Sequence, residues 1–246
     1  MRRLTAPLLL DAWEQGLGRP QVERALLLLA AATGEGEDQL ARLSVGRRDA
    51  LLLDMRELTF GPRLVSVSAC PACGERMEAT FEVSDLRVAP VDEEQRREAF
   101  ELSVNGHRVH FRLPDSLDQL ALSACADLGG ARDLLLRRCL LSVSHKGEEG
   151  GAEEKLPPEV SELIARRMEE LDPQADVQLG LSCGVCAHAW QEAFDISSFF
   201  CAELDAWANR LLLETHTLAR AYGWRESDIL MMSAARRQFY LNLVGA

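Results

Sequence analysis

The chain has 246 residues, 47% of them hydrophobic and 27% charged, a composition that builds a core and argues against a disordered or bilayer-embedded protein. Its 39 acidic residues against 27 basic ones leave a formal charge of −12, which disfavours general affinity for nucleic-acid phosphates. No run approaches the roughly 20 apolar residues of a membrane span. The short apolar start through Leu10 meets Asp11 and Glu14 at once, so no signal peptide is expected. In the reducing compartment that this implies, seven cysteines point to metal or redox chemistry rather than to structural disulfides.

In chain order, Leu8, Leu9, Ala12 and Trp13 share a helical face before Gly16 and Gly18. Pro20 suits the first turn of a second helix, apolar nearly all round through Val22, Ala25, Leu26, Leu28, Leu29 and Ala32, and therefore central. Ser44 caps a third, in which Leu51, Met55 and Leu58 recur at helical spacing, Arg47, Arg48 and Asp49 begin the polar face, and Phe60-Gly61-Pro62 stops the pattern. The period then falls to two. Leu64, Val65 and Val67, and after a Cys-Pro-Ala-Cys-Gly turn Met77, Thr80, Phe81 and Val83, read as a hairpin, and a second hairpin turns at Asn105-Gly106. The charged stretch from Asp92 to Glu98 reads as a linker or short helix. Helical pattern returns from Asp115 and again from Leu134 to Val143, and Lys146 to Lys155 reads as a mobile acidic loop. A helix from Pro158 to Leu171 carries Val160, Leu163, Ile164 and Met168 on one face, Val177 to Ile196 has strand character, and a long helix runs from Ser198 to Gly223. Two short helices close the chain, the last with Phe239, Tyr240, Leu243 and Val244 as its expected core side.

Cys70-Pro71-Ala72-Cys73 and Cys183-Gly184-Val185-Cys186 are two Cys-x-x-Cys turns with strand-like flanks. Such turns present two thiolates each, and together they supply the four soft ligands of one tetrahedral structural zinc. Aligned on their cysteines, Met77 falls on Trp190, Phe81 on Phe194 and Val83 on Ile196, so the two knuckles form an internal repeat with a long insertion between them. Closing so long a loop costs about 4 kcal/mol in chain entropy, which structural zinc binding of roughly 10–16 kcal/mol offsets. A thioredoxin-type redox motif would need a helix directly after the first cysteine, whereas Gly74 and alternating residues follow. Four cysteines also leave no open position for catalytic zinc. His188 is a competing ligand by proximity, and the placement of Gly74 after one pair against Gly184 within the other points to one irregular turn. Cys125, Cys139 and Cys201 lie in apolar surroundings and read as small core residues. The five histidines form no catalytic motif, and Trp13, Trp207 and Trp224 read as packing anchors.

Several anchors occur in one order: Trp13-Glu14-x-Gly16, Arg24-Ala25-Leu26, Gly46-Arg47-Arg48-Asp49-Ala50, Arg56-Glu57, Phe60-Gly61 and Cys70-Pro71-x-Cys73-Gly74-Glu75. Later come Cys183-x-x-Cys186, Trp190, Phe194-Asp195-Ile196, Glu203 to Ala208, His216-x-Leu218, Tyr222-Gly223-Trp224 and Arg236-Arg237-x-x-Tyr240-Leu241. In this order they resemble the T4-type phage baseplate hub assembly protein family, over nearly the whole chain apart from about 89 to 176. The resemblance implies a non-enzymatic assembly factor or structural component of the hub of a contractile tail, in a phage or a phage-derived injection system. It implies hub or spike proteins as partners, and assembly in the bacterial cytoplasm with or without retention in the particle. It supplies no catalytic residues, and the family's cysteine-bearing members look like holders of a structural zinc.

The expected fold is mainly α with a small antiparallel β region, and a zinc-ribbon-like site of Cys70, Cys73, Cys183 and Cys186 around one zinc ion joining N- and C-terminal helical parts that pack together. The expected divisions are 1–62 helical, 63–114 with the first knuckle and hairpins, 115–176 a helical insertion with the loop 146–155, 177–197 the second knuckle, and 198–246 helical. No nucleic acid, membrane or small-molecule substrate is expected. The competing function is a nucleic-acid-binding zinc-ribbon regulator, disfavoured because Glu75, Glu78, Glu82 and Asp85 crowd the first knuckle and Glu192 and Asp195 the second.

Overall fold

The computed structural model describes residues 1–88, 98–125, 127–145 and 156–244, and the backbone of 148–150. In chain order its elements are α1 (Ala6–Gln15), α2 (Gln21–Thr33), α3 (Glu37–Ala41), α4 (Val45–Phe60), β1 (Arg63–Ala69), β2 (Arg76–Glu82), α5 (Val83–Leu86), β3 (Phe100–Val104) and β4 (His107–Phe111). They continue with α6 (Ser116–Leu122), α7 (Leu128–Cys139), β5 (Leu140–His145), β6 (Glu148–Gly150), α8 (Pro158–Leu171), a 3₁₀ turn (Pro173–Ala175), β7 (Val177–Ser182), β8 (Ala189–Phe194), α9 (Ile196–Tyr222), α10 (Glu226–Leu230) and α11 (Ala234–Val244). The fold is thus mainly helical with small antiparallel sheets. Of the acidic stretch 146–155 only 148–150 is described, as β6, and residues 92–97 of the charged linker also lie outside the described residues.

The chain forms two compact units, one of residues 1–37 with 196–246 and the other of 38–195. In the first, both ends of the chain meet as expected, since α1 and α2 pack on α9. Leu26, Leu28 and Leu29 of α2 are buried together with Phe200, Leu204, Ala208 and Leu211 of α9. Gly34 closes α2 with φ +81°, the left-handed conformation that a helix C-terminus takes and glycine adopts freely. A polar clasp spans the three helices: Trp13 donates its indole N–H to Asp205 at 2.8 Å, and both terminal nitrogens of Arg24 donate to the same carboxylate. Trp13 is therefore both packing body and hydrogen-bond donor.

The last helix departs from its expected orientation. Phe239, Leu243 and Val244 of α11 are exposed, and the residue it buries is Arg237. The Arg237 guanidinium donates to Glu214 of α9 at 3.0 Å and to the Met232 carbonyl at 2.7 Å. Because a paired and hydrogen-bonded arginine tolerates burial, the ion pair sets which face turns inward and leaves the apolar face outward.

In the second unit, β3, β4, β5 and β6 form one antiparallel sheet in that order. Asn105 and Gly106 both have positive φ, at +50° and +78°, as a two-residue hairpin matched to strand twist requires. The core face of this sheet carries Phe100, Val109, Phe111, Leu140 and Val143, covered by Val160, Ile164, Met168 and Leu171 of α8. The sequence pattern places residues 140–143 in a helix. They are the start of β5 instead, because Cys139 ends α7 and Val143 then pairs with Val109 in the core.

Helix α4 also corrects the sequence reading, since Arg48 and Asp49, expected on the polar face, are buried. Arg48 bonds Asp49 from two nitrogens, at 2.9 and 2.6 Å, and reaches Ser116 of α6 at 3.1 Å and Gln119. Burial, opposed by Arg48, pushes the Asp49 carboxyl up to about 6. In the first turn of the same helix, Asp172 acts as a further cap by accepting the Gly46 N–H at 2.9 Å. A Cβ at Gly46 would stand 2.1 Å from that carboxylate, so only glycine admits the cap.

Candidate metal centre

The two Cys-x-x-Cys turns sit at the tips of two-stranded hairpins, β1 with β2 and β7 with β8. The inward positions carry Leu64, Met77 and Phe81 in the first and Leu179, Leu181, Trp190 and Phe194 in the second, with Ser66, Ser68 and Glu192 among them, while Val65 and Val67 are exposed. Arg63 pairs with Glu82 at the open end of the first hairpin and Ala69 with Arg76 at its tip, while Val177–Phe194 and Ser182–Ala189 do the same in the second. Strand alternation thus gives each ribbon one inward face, apolar except for these polar positions. The faces meet: Phe81 of β2 and Phe194 of β8, equivalent in the internal repeat, pack edge to face with centroids 5.6 Å apart. Nearer the tips, buried Ser68 donates its hydroxyl to Glu192, which also accepts the Trp190 indole N–H at 3.2 Å. The next repeat pair, Val83 and Ile196, are not strand residues. Each is buried and opens a helix, α5 and α9.

The two turns share their pair of backbone hydrogen bonds. Cys70 N–H donates to the Glu75 carbonyl and Gly74 N–H to the Cys70 carbonyl, at 2.9 and 2.8 Å. Cys183 N–H donates to the His188 carbonyl and Ala187 N–H to the Cys183 carbonyl, at 2.8 and 2.9 Å. The irregularity expected from the glycine positions is absent from this pattern. Gly74 takes φ +75° and Ala187, at the matching place, takes φ +58°, so the second turn bears an alanine where its geometry favours glycine.

Four sulfur atoms converge between the turns, those of Cys70, Cys73, Cys183 and Cys186, all within 4.8 Å of one another. The short approaches cross from one hairpin to the other: Cys70 to Cys186 at 3.7 Å and Cys73 to Cys183 at 3.6 Å. A tetrahedron of Zn–S bonds of about 2.3 Å has edges of about 3.8 Å, so this donor set can take one tetrahedral cation. Cys70 and Cys183 are buried, Cys73 and Cys186 exposed. Backbone N–H groups of Cys186 and Val185 hold the Cys183 thiol down at about 7, the direction that prepares a thiolate ligand. Against the backbone of Glu75, the Cys186 side chain and the other thiols push Cys73 up to about 12. Among the described residues this is the one group of three or more potential ligands that converges, and His188 is not part of it. Its ring instead lies nearly parallel to Trp190, with centroids 6.1 Å apart.

The remaining cysteines stand elsewhere. Cys139 and Cys201 are fully buried and Cys125 is half-buried. Burial and then the nearby Asp118 carboxylate push the Cys139 thiol up to about 12, which keeps it an inert core group. The Ser68–Glu192 link went unnoticed in the sequence because neither residue type marks a ribbon. Only its place two residues before Cys70, on the inward face, gives it away.

A family model described as T4 bacteriophage base plate protein matches residues 18–201, a span that contains both cysteine pairs and all that separates them. No curated protein and no solved structure matches the chain. The anchors at Trp13 and those from Glu203 to Leu241 fall outside the matched span.

Proposed function

This chain belongs to the T4 bacteriophage base plate protein family, and from that premise we propose that it is a non-enzymatic part of the baseplate hub of a contractile tail, of a phage or a phage-derived injection system. It serves there as an assembly factor or a resident component, and one structural zinc on Cys70, Cys73, Cys183 and Cys186 holds its middle unit in shape. The observation that carries the reading is the family match across the two cysteine pairs, whose four sulfurs lie within 4.8 Å. When bound, zinc supplies a cross-link and no reactive position, since four thiolates complete its shell. The chain's own contribution is to align the two ribbons through Phe81, Phe194 and the Ser68–Glu192 bond, so that the thiols meet with little reorganisation.

The partners in this reading are other baseplate proteins, hub or spike components in particular. The outward face of α11 is suited to such a contact, because Phe239 and Leu243 stand exposed one turn apart beside Arg236, whose guanidinium lies over Tyr240. Aromatic and arginine side chains are over-represented among residues that dominate binding energy. Arg237, in contrast, is committed to Glu214 within the fold. Deleting the gene from its phage or injection-system cluster is expected to stop tails at an incomplete baseplate, and a tagged chain to co-purify with hub or spike proteins. Complete, contractile tails in the deletion strain would overturn the assignment.

A further inference from the structure

A second cluster of metal-ligating side chains lies well along the chain from the cysteines, at the end of the four-stranded sheet. His107 of β4 and His145 of β5 are directly paired across the strands, and their rings stand 4.1 Å apart between centroids with planes inclined at 44°. They extend the core face by one step beyond Val109 and Val143. The Nδ1 atoms of both are buried, and among the described residues neither has a hydrogen-bond partner. Two orphaned imidazole nitrogens side by side are costly to leave unsatisfied, because a buried polar atom without a partner has given up its hydrogen bonds to water and regained none.

A shallow pocket of about 350 Å³ at the hairpin tip touches His107 but not His145, and its Ser103, Arg108 and Ser144 belong to the opposite face of the sheet, so the site rests on the histidine pair itself. Gly106 lies against the His145 ring, where a Cβ would make ordinary contact at 3.7 Å from Cε1 and 4.0 Å from Nδ1. Arg108 borders the same pocket, but alternation along β4 sends it to the opposite face from His107, where it pairs with Glu101 at 3.4 Å.

We propose that His107 and His145 form a two-imidazole site for a borderline divalent cation, Zn²⁺ or Ni²⁺, weaker than and independent of the four-cysteine centre. Neutral imidazole is the commonest ligand for such ions, and directly opposed strand residues, with Cβ atoms about 4.5–5.5 Å apart, are close enough for both rings to reach one ion at Zn–N distances of about 2.0–2.1 Å.

The test is a calorimetric titration of the zinc-loaded full chain with further Zn²⁺ near pH 7.5. The wild type is expected to take a second, weaker equivalent. His107→Gln and His145→Gln should each weaken that equivalent at least tenfold while keeping the tightly held zinc, which also reports that the variants are folded. His110→Gln, on the exposed face of the same strand, should leave both unchanged. No second equivalent in the wild type, or one that persists in both variants, overturns the proposal. A chain that lacks the tight zinc yet binds one histidine-dependent equivalent would instead sink the four-cysteine reading alone.

Discussion

Ala187 shows how much one backbone angle reveals at the scale of a residue. Its φ of +58° matches that of Gly74 in the sister turn, although a Cβ makes the left-handed region unfavourable by roughly 1–2 kcal/mol. The turn keeps that conformation because its two backbone bonds and the direction of Cys186 toward the other hairpin depend on it. Ala187→Gly is therefore expected to stabilise the protein by about 0.5–1 kcal/mol, after allowing for the greater freedom of glycine in the unfolded chain, and Gly74→Ala to destabilise it by about 1 kcal/mol. Urea unfolding at unchanged slope measures both, and shifts of equal sign in the two variants would contradict the equivalence of the turns. Gly46 teaches the complementary lesson, since its lack of a side chain serves a close approach by Asp172 rather than an unusual φ.

The elements of the second unit are tied by buried carboxylates as well as by apolar contact. Asp118, in the first turn of α6, accepts from the Asp115 N–H in a reciprocal capping box, from both terminal nitrogens of Arg112 at 2.6 and 2.9 Å, and from Arg138 of α7 at 2.7 Å. Burial works to raise its pKa, but Arg112, the Asp115 backbone and Arg138 outweigh it and hold the carboxyl at about 2. A group with a folded pKa below its unfolded value near 4 adds stability that is complete above that value and lost as the pH falls toward 2. The contribution is about 2 kcal/mol. Asp118→Asn should thus cost most near neutral pH, and its stability deficit should narrow as the pH is lowered from 5 toward 2 in chemical denaturation. A deficit that stays constant across that range would show that Asp118 acts by shape and not by charge.

For the whole molecule, zinc on the four cysteines, as proposed, would close a loop of more than a hundred residues between Cys73 and Cys183, and its binding energy would exceed the chain entropy of about 4 kcal/mol that this closure costs. Elemental analysis of the native protein is expected to give one tightly held zinc per chain. Removal by a strong chelator should lower the melting temperature by about 10 °C, and one equivalent of zinc should restore it. An unchanged melting curve on chelation, or a preparation without zinc, would leave the ribbons held by Phe81, Phe194 and Ser68–Glu192 alone. The first unit does not depend on those contacts, since α1, α2 and α9 have their own apolar core and the Trp13–Arg24–Asp205 clasp.

Much of this could be read from the amino acids, because short-range rules govern it: hairpins at Asn105-Gly106 and at both cysteine turns, an α2 apolar nearly all round, an amphipathic α8 from Pro158 to Leu171, and four cysteines of matched flanks. Family membership was legible too, in the order of its anchors. What needed the tertiary structure were the places where a long-range partner outweighs local pattern. Arg48 and Arg237 look like surface residues until Asp49, Ser116 and Glu214 are found beside them, and the burial of Arg237 is what turns the apolar face of α11 outward. The His107–His145 pair, likewise, exists only through the register of β4 on β5. Charge pairing and strand register are decided between segments distant along the chain, so periodicity within one segment carries no trace of them.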